Sequence, residues 1–130
     1  FSCPVEEDRV WSVLGYIELN PIRAQMVENA WDWEWSSARA HITGEDPTGL
    51  LDMDFWREHF DGAAWREYLE KMAKEKSLAD RIRKATARGR FFGSDETARQ
   101  LEVQLGREIL PKKRGRKSNS NAQSTNLGKE

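Results

Sequence analysis

At 130 residues the chain suits one domain, or one domain with a tail. Charged residues make up 33% against 38% apolar, and no apolar run approaches the ~18 residues of a membrane helix, which leaves no candidate span. The net charge of −1 conceals a division: residues 1–80 carry 8 Lys/Arg and 17 Asp/Glu, a balance of −9, and residues 81–130 carry the remaining 13 and 5, a balance of +8.

A basic end on an acidic body fits a polyanion-binding arm, and equally a solvated tail. Six tryptophans supply large apolar pieces to a small core. The single cysteine, Cys3, cannot close an internal disulfide, which fits a reducing, cytoplasmic setting. The chain starts on Phe1 with a helix expected almost at once, as in a fragment or a processed chain. It has no basic segment followed by an apolar one, so no signal peptide is expected.

In chain order, Glu6, Glu7 and Asp8 favour a helix start through the macrodipole. Val10, Val13, Leu14 and Ile17 then mark one apolar helical face, with Arg9, Ser12, Tyr16 and Asn20 beside it. Asn20-Pro21 ends this helix and can start the next, Asn20 as N-cap and Pro21 at the first helical position. Residues 22–27 make that short second helix. Trp31, Trp33 and Trp35 alternate with acids, which predicts an extended segment. Ser36 or Ser37 caps a short helix through His41, and residues 43–49 form a loop.

Asp52 or Asp54 opens a helix carrying Phe55 and Trp56, and Gly62 interrupts it. Trp65, Leu69 and Met72 continue at helical spacing to about Lys76. Ser77 is expected to cap the next helix, with Leu78 and Ile82 inward and Gly89 as its stop. Ser94, Asp95 and Glu96 start another, with Ala98, Leu101 and Leu105 on its buried side and Gly106 ending it. Helix, short glycine-containing turn, helix is about the size of a helix-turn-helix. Beyond Pro111 come Lys112, Lys113, Arg114, Arg116 and Lys117, then Ser, Asn, Gln, Gly and Thr with little apolar content, so 112–130 is expected to be disordered. The resulting division is 1–50, 51–111 and 112–130.

Taken by themselves, Tyr16 reads as a half-buried core tyrosine and Asn20 as an N-cap. The tryptophans read as core, and His41 and His59 as surface or helix-end residues. Four stretches in order add a different reading: FSCPV at 1–5, YIELNPIRAQMV at 16–27, WEWSSARAH at 33–41, and GRFFGS at 89–94 followed by GREILPKKRGRK. With them the chain resembles, over roughly residues 1–117, the C-terminal part of a REP-associated tyrosine transposase, of the single-tyrosine HUH group. The family most often has Gly-Arg-Pro-Leu-Gly-Ser where this chain has Phe91-Phe92 in the middle.

The resemblance implies the helical portion of an α+β, ferredoxin-like fold. It implies cleavage of single-stranded or hairpin DNA by a helix-borne tyrosine, which becomes linked to the 5′-phosphate and releases a 3′-hydroxyl. By position, Tyr16 matches the nucleophile. Asn20, one turn on, matches a polar residue that completes a divalent metal site, for Mg²⁺ or Mn²⁺. Tyrosine, with a pKa near 10, needs such help at neutral pH, and an amide oxygen is a suitable hard ligand.

His41 and His59 are the only histidines and form no His-x-His. The metal-binding pair of the family lies upstream of the tyrosine, so this chain is expected to be inactive alone, with no metal bound. Arg9, Arg23, Arg88, Arg90, Lys112, Lys113, Arg114, Arg116 and Lys117 are assigned to phosphate contacts, which give salt-dependent affinity without sequence readout. A homodimer that exchanges the tyrosine helix stays open. Two other readings stand beside the transposase: a non-catalytic DNA- or RNA-binding module using Ser77–Leu105 and the tail, and a helical protein–protein adaptor using the acidic face.

Overall fold

The computed structural model describes residues 3–110. They form a mainly α chain: α1 (Val10–Glu18), α2 (Asn20–Arg23), α3 (Ala38–Thr43), α4 (Met53–His59), α5 (Gly62–Lys74), α6 (Lys76–Ala87) and α7 (Asp95–Leu105). Short 3-10 helices precede α1 at Glu7–Arg9 and fall between α2 and α3 at Ala30–Asp32. No strand occurs among the described residues. A single parallel bridge joins Val5 to Phe92, where Phe92 N–H donates to the Pro4 carbonyl at 2.8 Å and Glu6 N–H to that of Phe92 at 2.9 Å. No helix among these residues is long and apolar enough to cross a membrane.

Local chemistry explains several helix ends. Asp52 accepts from Phe55 N–H at 2.9 Å, Asp61 from Ala64 N–H at 2.8 Å and Ser94 from Thr97 N–H at 3.1 Å, each cap contributing ~1 kcal/mol. Gly89 (φ +57°) stops α6 and Gly106 (φ +61°) stops α7, both in the left-handed conformation that glycine adopts without Cβ strain.

The core is an aromatic cluster held by α5. Trp65 and Leu69 are fully buried there, and α5 packs on both α1 and α3, across the expected boundary at 50/51. Trp56 meets Trp65 edge-on at 4.8 Å, and Phe60 meets Trp65 at 5.0 Å. Gly15 brings α1 close to α5: a Cβ there would lie 2.8 Å from Met72 Sδ and 3.3 Å from the Tyr68 ring.

Several sequence expectations change. The Trp31–Ser37 stretch is not extended but runs through a 3-10 helix and turns. Its period-2 alternation has no sheet to lie on among the described residues; Trp35 stands 79% exposed, and Trp31 lies under the Arg66 guanidinium at 4.2 Å. Asn20 does not cap α2 but lies within it, preceded by Leu19. Ser77 does not cap α6, which already starts at Lys76. A single residue, Glu75, turns the chain between α5 and α6.

On α1, Val10 and Ile17 are exposed and Val13 and Leu14 half-buried, while Gly15 and Glu18 are buried. On α7, Ala98 is buried, Leu101 half-buried and Leu105 exposed. The helices of the expected helix-turn-helix are α6 and α7, but Arg88–Ser94, seven residues, separates them. That connection is longer than the motif's three or four, because residues 92–94 are taken up in pairing with residues 4–6. Residues 1, 2 and 111–130 lie outside the described residues, and with them the expected disorder of 112–130.

Candidate functional site

Helix α1 has two working faces. Glu18 follows Tyr16 by two residues, which puts their side chains ~200° apart around the helix axis. One anchors the helix and the other faces the surface.

The anchoring face is unexpected in kind. Glu18 is 1% exposed, and three donors converge on its carboxylate. Ser37 Oγ donates to Oε1 at 2.5 Å and Trp65 Nε1 to Oε2 at 2.8 Å. His41 Nδ1 lies 2.6 Å from Oε1, so the Nδ1–H tautomer is the one that donates. His41 is not the surface histidine expected: it is buried, stacked on Trp56 at 3.8 Å, and its carbonyl accepts from Trp56 Nε1. A buried carboxylate is expensive unless its lone pairs are met, and α3 and α5 supply the donors. One signal was available in the sequence: Glu18 sits four residues after Leu14, at the edge of the apolar stripe. The other was Ser37, freed from capping α3 to donate here.

The opposite face gathers three of the sequence-predicted residues. Tyr16 is half-buried, with its ring packed beside the core. The Arg23 guanidinium lies over that ring, 3.9 Å from its centroid. The same guanidinium donates to the Tyr16 carbonyl and to Asn20 Oδ1. Asn20 is exposed. Burial pushes the Arg23 pKa below its usual value and the nearby Arg83 charge adds to this, while contact with Tyr16 opposes both. No carboxylate lies within ion-pairing distance of Arg23 among the described residues, unlike Arg57, Arg66 and Arg83.

The other predicted cations are dispersed. Arg9 sits between Asp8 and Glu6, with Nε 3.7 and 3.9 Å from their carboxylates. Arg88, exposed, and Arg90, half-buried, line with Lys84 a cleft of about 200 Å³ beside the start of α7. Lys112, Lys113, Arg114, Arg116 and Lys117 lie outside the described residues. Burial pushes the Cys3 thiol pKa up, and its Sγ donates to the Arg90 carbonyl, which suits a structural thiol and not a nucleophile.

The described residues do not by themselves fit a divalent metal. No group of three His, Cys, Asp or Glu among them could hold an ion, and Asn20 Oδ1 already accepts from a cationic guanidinium. Asn20 is thus one ligand at most. The surface around Tyr16 carries a cation, the Arg23 guanidinium, laid over the ring. No protein-family model, curated protein or solved structure matches the chain.

Proposed function

We propose that this chain is the tyrosine-bearing, nucleic-acid-binding part of a single-strand DNA transposase of the REP-associated type, the helical portion of an α+β HUH fold. The observation that carries the reading is the convergence of Tyr16, Asn20 and Arg23 on one surface, opposite the buried Glu18 anchor. Motif order along the sequence supports it independently.

In the proposed step Tyr16 Oη forms a bond to phosphorus and the P–O3′ bond breaks. The phenol proton leaves, a proton is taken up by the departing 3′-oxygen, and the 5′-phosphate stays on the tyrosine. In this reading Glu18 fixes the rotation of α1, and Arg23 holds the backbone from Tyr16 to Asn20 and offers positive charge to the strand. A divalent ion would require ligands supplied from outside the described residues. The protein would work on DNA in the cytoplasm, with single-stranded or hairpin DNA as partner.

A second reading, a non-catalytic nucleic-acid-binding module, is favoured by one feature. Arg23 covers the Tyr16 ring and occupies Asn20 Oδ1, so neither group is open while the guanidinium stays in place.

The test is an oligonucleotide carrying a hairpin and a single-stranded tail, titrated against the full chain by fluorescence anisotropy at several salt concentrations. Salt-dependent binding is expected; its absence at low salt overturns both readings. A covalent adduct trapped after adding a His-x-His-containing segment and Mn²⁺, and absent in Tyr16→Phe, separates them. An adduct that persists in Tyr16→Phe removes Tyr16 as the nucleophile.

A further inference from the structure

Between α2 and α6, linked to Tyr16 through Arg23, lies a groove of about 330 Å³. Its floor is apolar, formed by Leu19, Ile22 and Met72. Arg23, Lys76 and Arg83 bring three positive charges to its walls, against two negative ones from Glu75 and Asp80. We propose that this groove binds one nucleotide unit of a single strand, with its phosphate held between Arg23 and Arg83 and its sugar or base against the apolar floor.

The cations are not consumed by the protein. Arg23 spends its donors on neutral oxygens, those of the Tyr16 backbone and the Asn20 amide, and has no carboxylate partner among the described residues. Arg83 meets Asp80 through Nη1 at 3.3 Å, a pair that is 62% and 56% exposed and therefore weakly held. The Arg83 charge acts on Arg23 across the groove, and burial works against the same guanidinium. Two like charges facing one space, one of them partly desolvated, are relieved by an anion between them. Planar guanidinium forks match phosphate oxygens in a bidentate manner.

The volume exceeds what a phosphate alone fills and lies within the range of small-molecule sites. The extra space is lined by Leu19 and Met72, both buried, and by the half-buried Ile22 and Ala79, which give a sugar or a base an apolar surface to pack on. A base paired inside a duplex cannot enter, so the site favours a single strand. This inference rests on the proposed nucleic-acid reading and holds for both its catalytic and non-catalytic forms. It adds the path of the strand: across α2 and along α6, past Tyr16.

The probe is an unstructured oligothymidylate of about eight nucleotides, compared with a duplex of the same length, on the full chain at about 50 mM salt. Arg83→Gln is expected to lower single-strand affinity about threefold, and Arg23→Gln with Arg83→Gln at least tenfold. The double variant should also flatten the salt slope by ~0.7 per lost phosphate contact. Because Arg23 also braces α2, the exposed Arg83→Gln serves as the variant that leaves the fold undisturbed, with circular dichroism as the control.

If the parent binds and Arg83→Gln and the double variant stay within twofold of it, the groove is not the site, although the nucleic-acid reading survives. Should the duplex bind as tightly as the single strand and respond equally to the substitutions, the surface is a general cation patch and the nucleotide site is overturned. A parent that binds neither probe overturns both the inference and the reading it rests on.

Discussion

Glu18→Ala is the substitution that tests the link between fold and site. Removing the carboxylate leaves Ser37 Oγ–H, His41 Nδ1–H and Trp65 Nε1–H facing an apolar cavity. Each hydrogen bond to a charged group contributes ~1.5–3 kcal/mol, and an unmet buried donor costs ~1–3 kcal/mol. These do not simply add, since Ser37 can rotate and His41 can change tautomer. Breaking a buried pair from one side typically costs ~3–5 kcal/mol, and that is the expected loss. Against a total of ~5–15 kcal/mol for a domain, it is enough to leave the protein marginal.

Glu18→Gln should be milder. Its amide oxygen can serve Ser37 and His41, but its NH2 group then faces the Trp65 Nε1–H donor to donor, so the indole N–H loses its acceptor at ~1–3 kcal/mol. Urea unfolding followed by tryptophan fluorescence reads both, because Trp65 is itself a member of the network. With a slope of ~1–3 kcal/mol/M, the alanine variant should shift the midpoint by roughly 2 M. A shift below about 0.5 M at unchanged slope would refute the view that Glu18 holds α1 in place.

Three further outcomes follow from particular residues. Gln25 takes φ +59° at the end of α2, where Met26 N–H reaches the Pro21 carbonyl and Gln25 N–H that of Ile22. This is a Schellman motif with glutamine in the glycine position. A left-handed residue costs ~1–2 kcal/mol and glycine gives back ~0.5–1 kcal/mol in chain entropy, so Gln25→Gly should stabilise by ~0.5–1 kcal/mol in the same titration. A Cβ on Gly62 would lie 1.9 Å from the Ile42 carbonyl oxygen, which is backbone and cannot step aside; Gly62→Ala should lose ~2–3 kcal/mol in thermal melts. The Thr97 hydroxyl, together with the Ser94 backbone and hydroxyl, holds the Glu6 pKa below the usual carboxylate value. A depressed folded value means that this stabilisation is complete above ~4.3 and is lost as pH falls through the lowered value. The Ser94 amide resonance should therefore move below pH ~4.3 in the parent and not in Glu6→Gln; identical behaviour in the two would refute the coupling of Glu6 to Ser94.

How much of this was legible in the sequence depends on whether the signal is local. Capping by Asp52 and Ser94 and the stops at Gly89 and Gly106 need only neighbours within a turn, and they came out as expected. Asn20 failed as a cap because the backbone is already helical at Leu19, which holds the N-cap position, and Asn20 Oδ1 accepts from Arg23 instead. The tryptophan alternation at 31–35 failed because period 2 implies a sheet only where a second strand exists, and none is present among the described residues. Burial of His41 was illegible from its own surroundings, since Ala38, Arg39 and Ala40 say nothing about Glu18 or Trp56.

The site follows the same logic one level up. Spacing alone placed Tyr16 and Asn20 on one helical surface, and that survives even though α1 ends between them, because Leu19 turns the chain only briefly before α2. Spacing could not say which way that surface faces. The exposed Val10 and Ile17 show that the most apolar stripe of α1 is not the one that decides. A single buried carboxylate does: three polar donors can be satisfied in only one rotation of the helix, whereas an apolar stripe tolerates several. On the proposed reading, a substitution at Glu18 should therefore alter nucleic-acid binding as well as stability, since Tyr16 is oriented by the residue two places along. Gly15→Ala provides the contrast, since it crowds α1 against Met72 without touching the donors. It should destabilise by ~1–3 kcal/mol while the three donors keep the Glu18 carboxylate, and any effect on binding then comes through Met72, which lines the proposed groove.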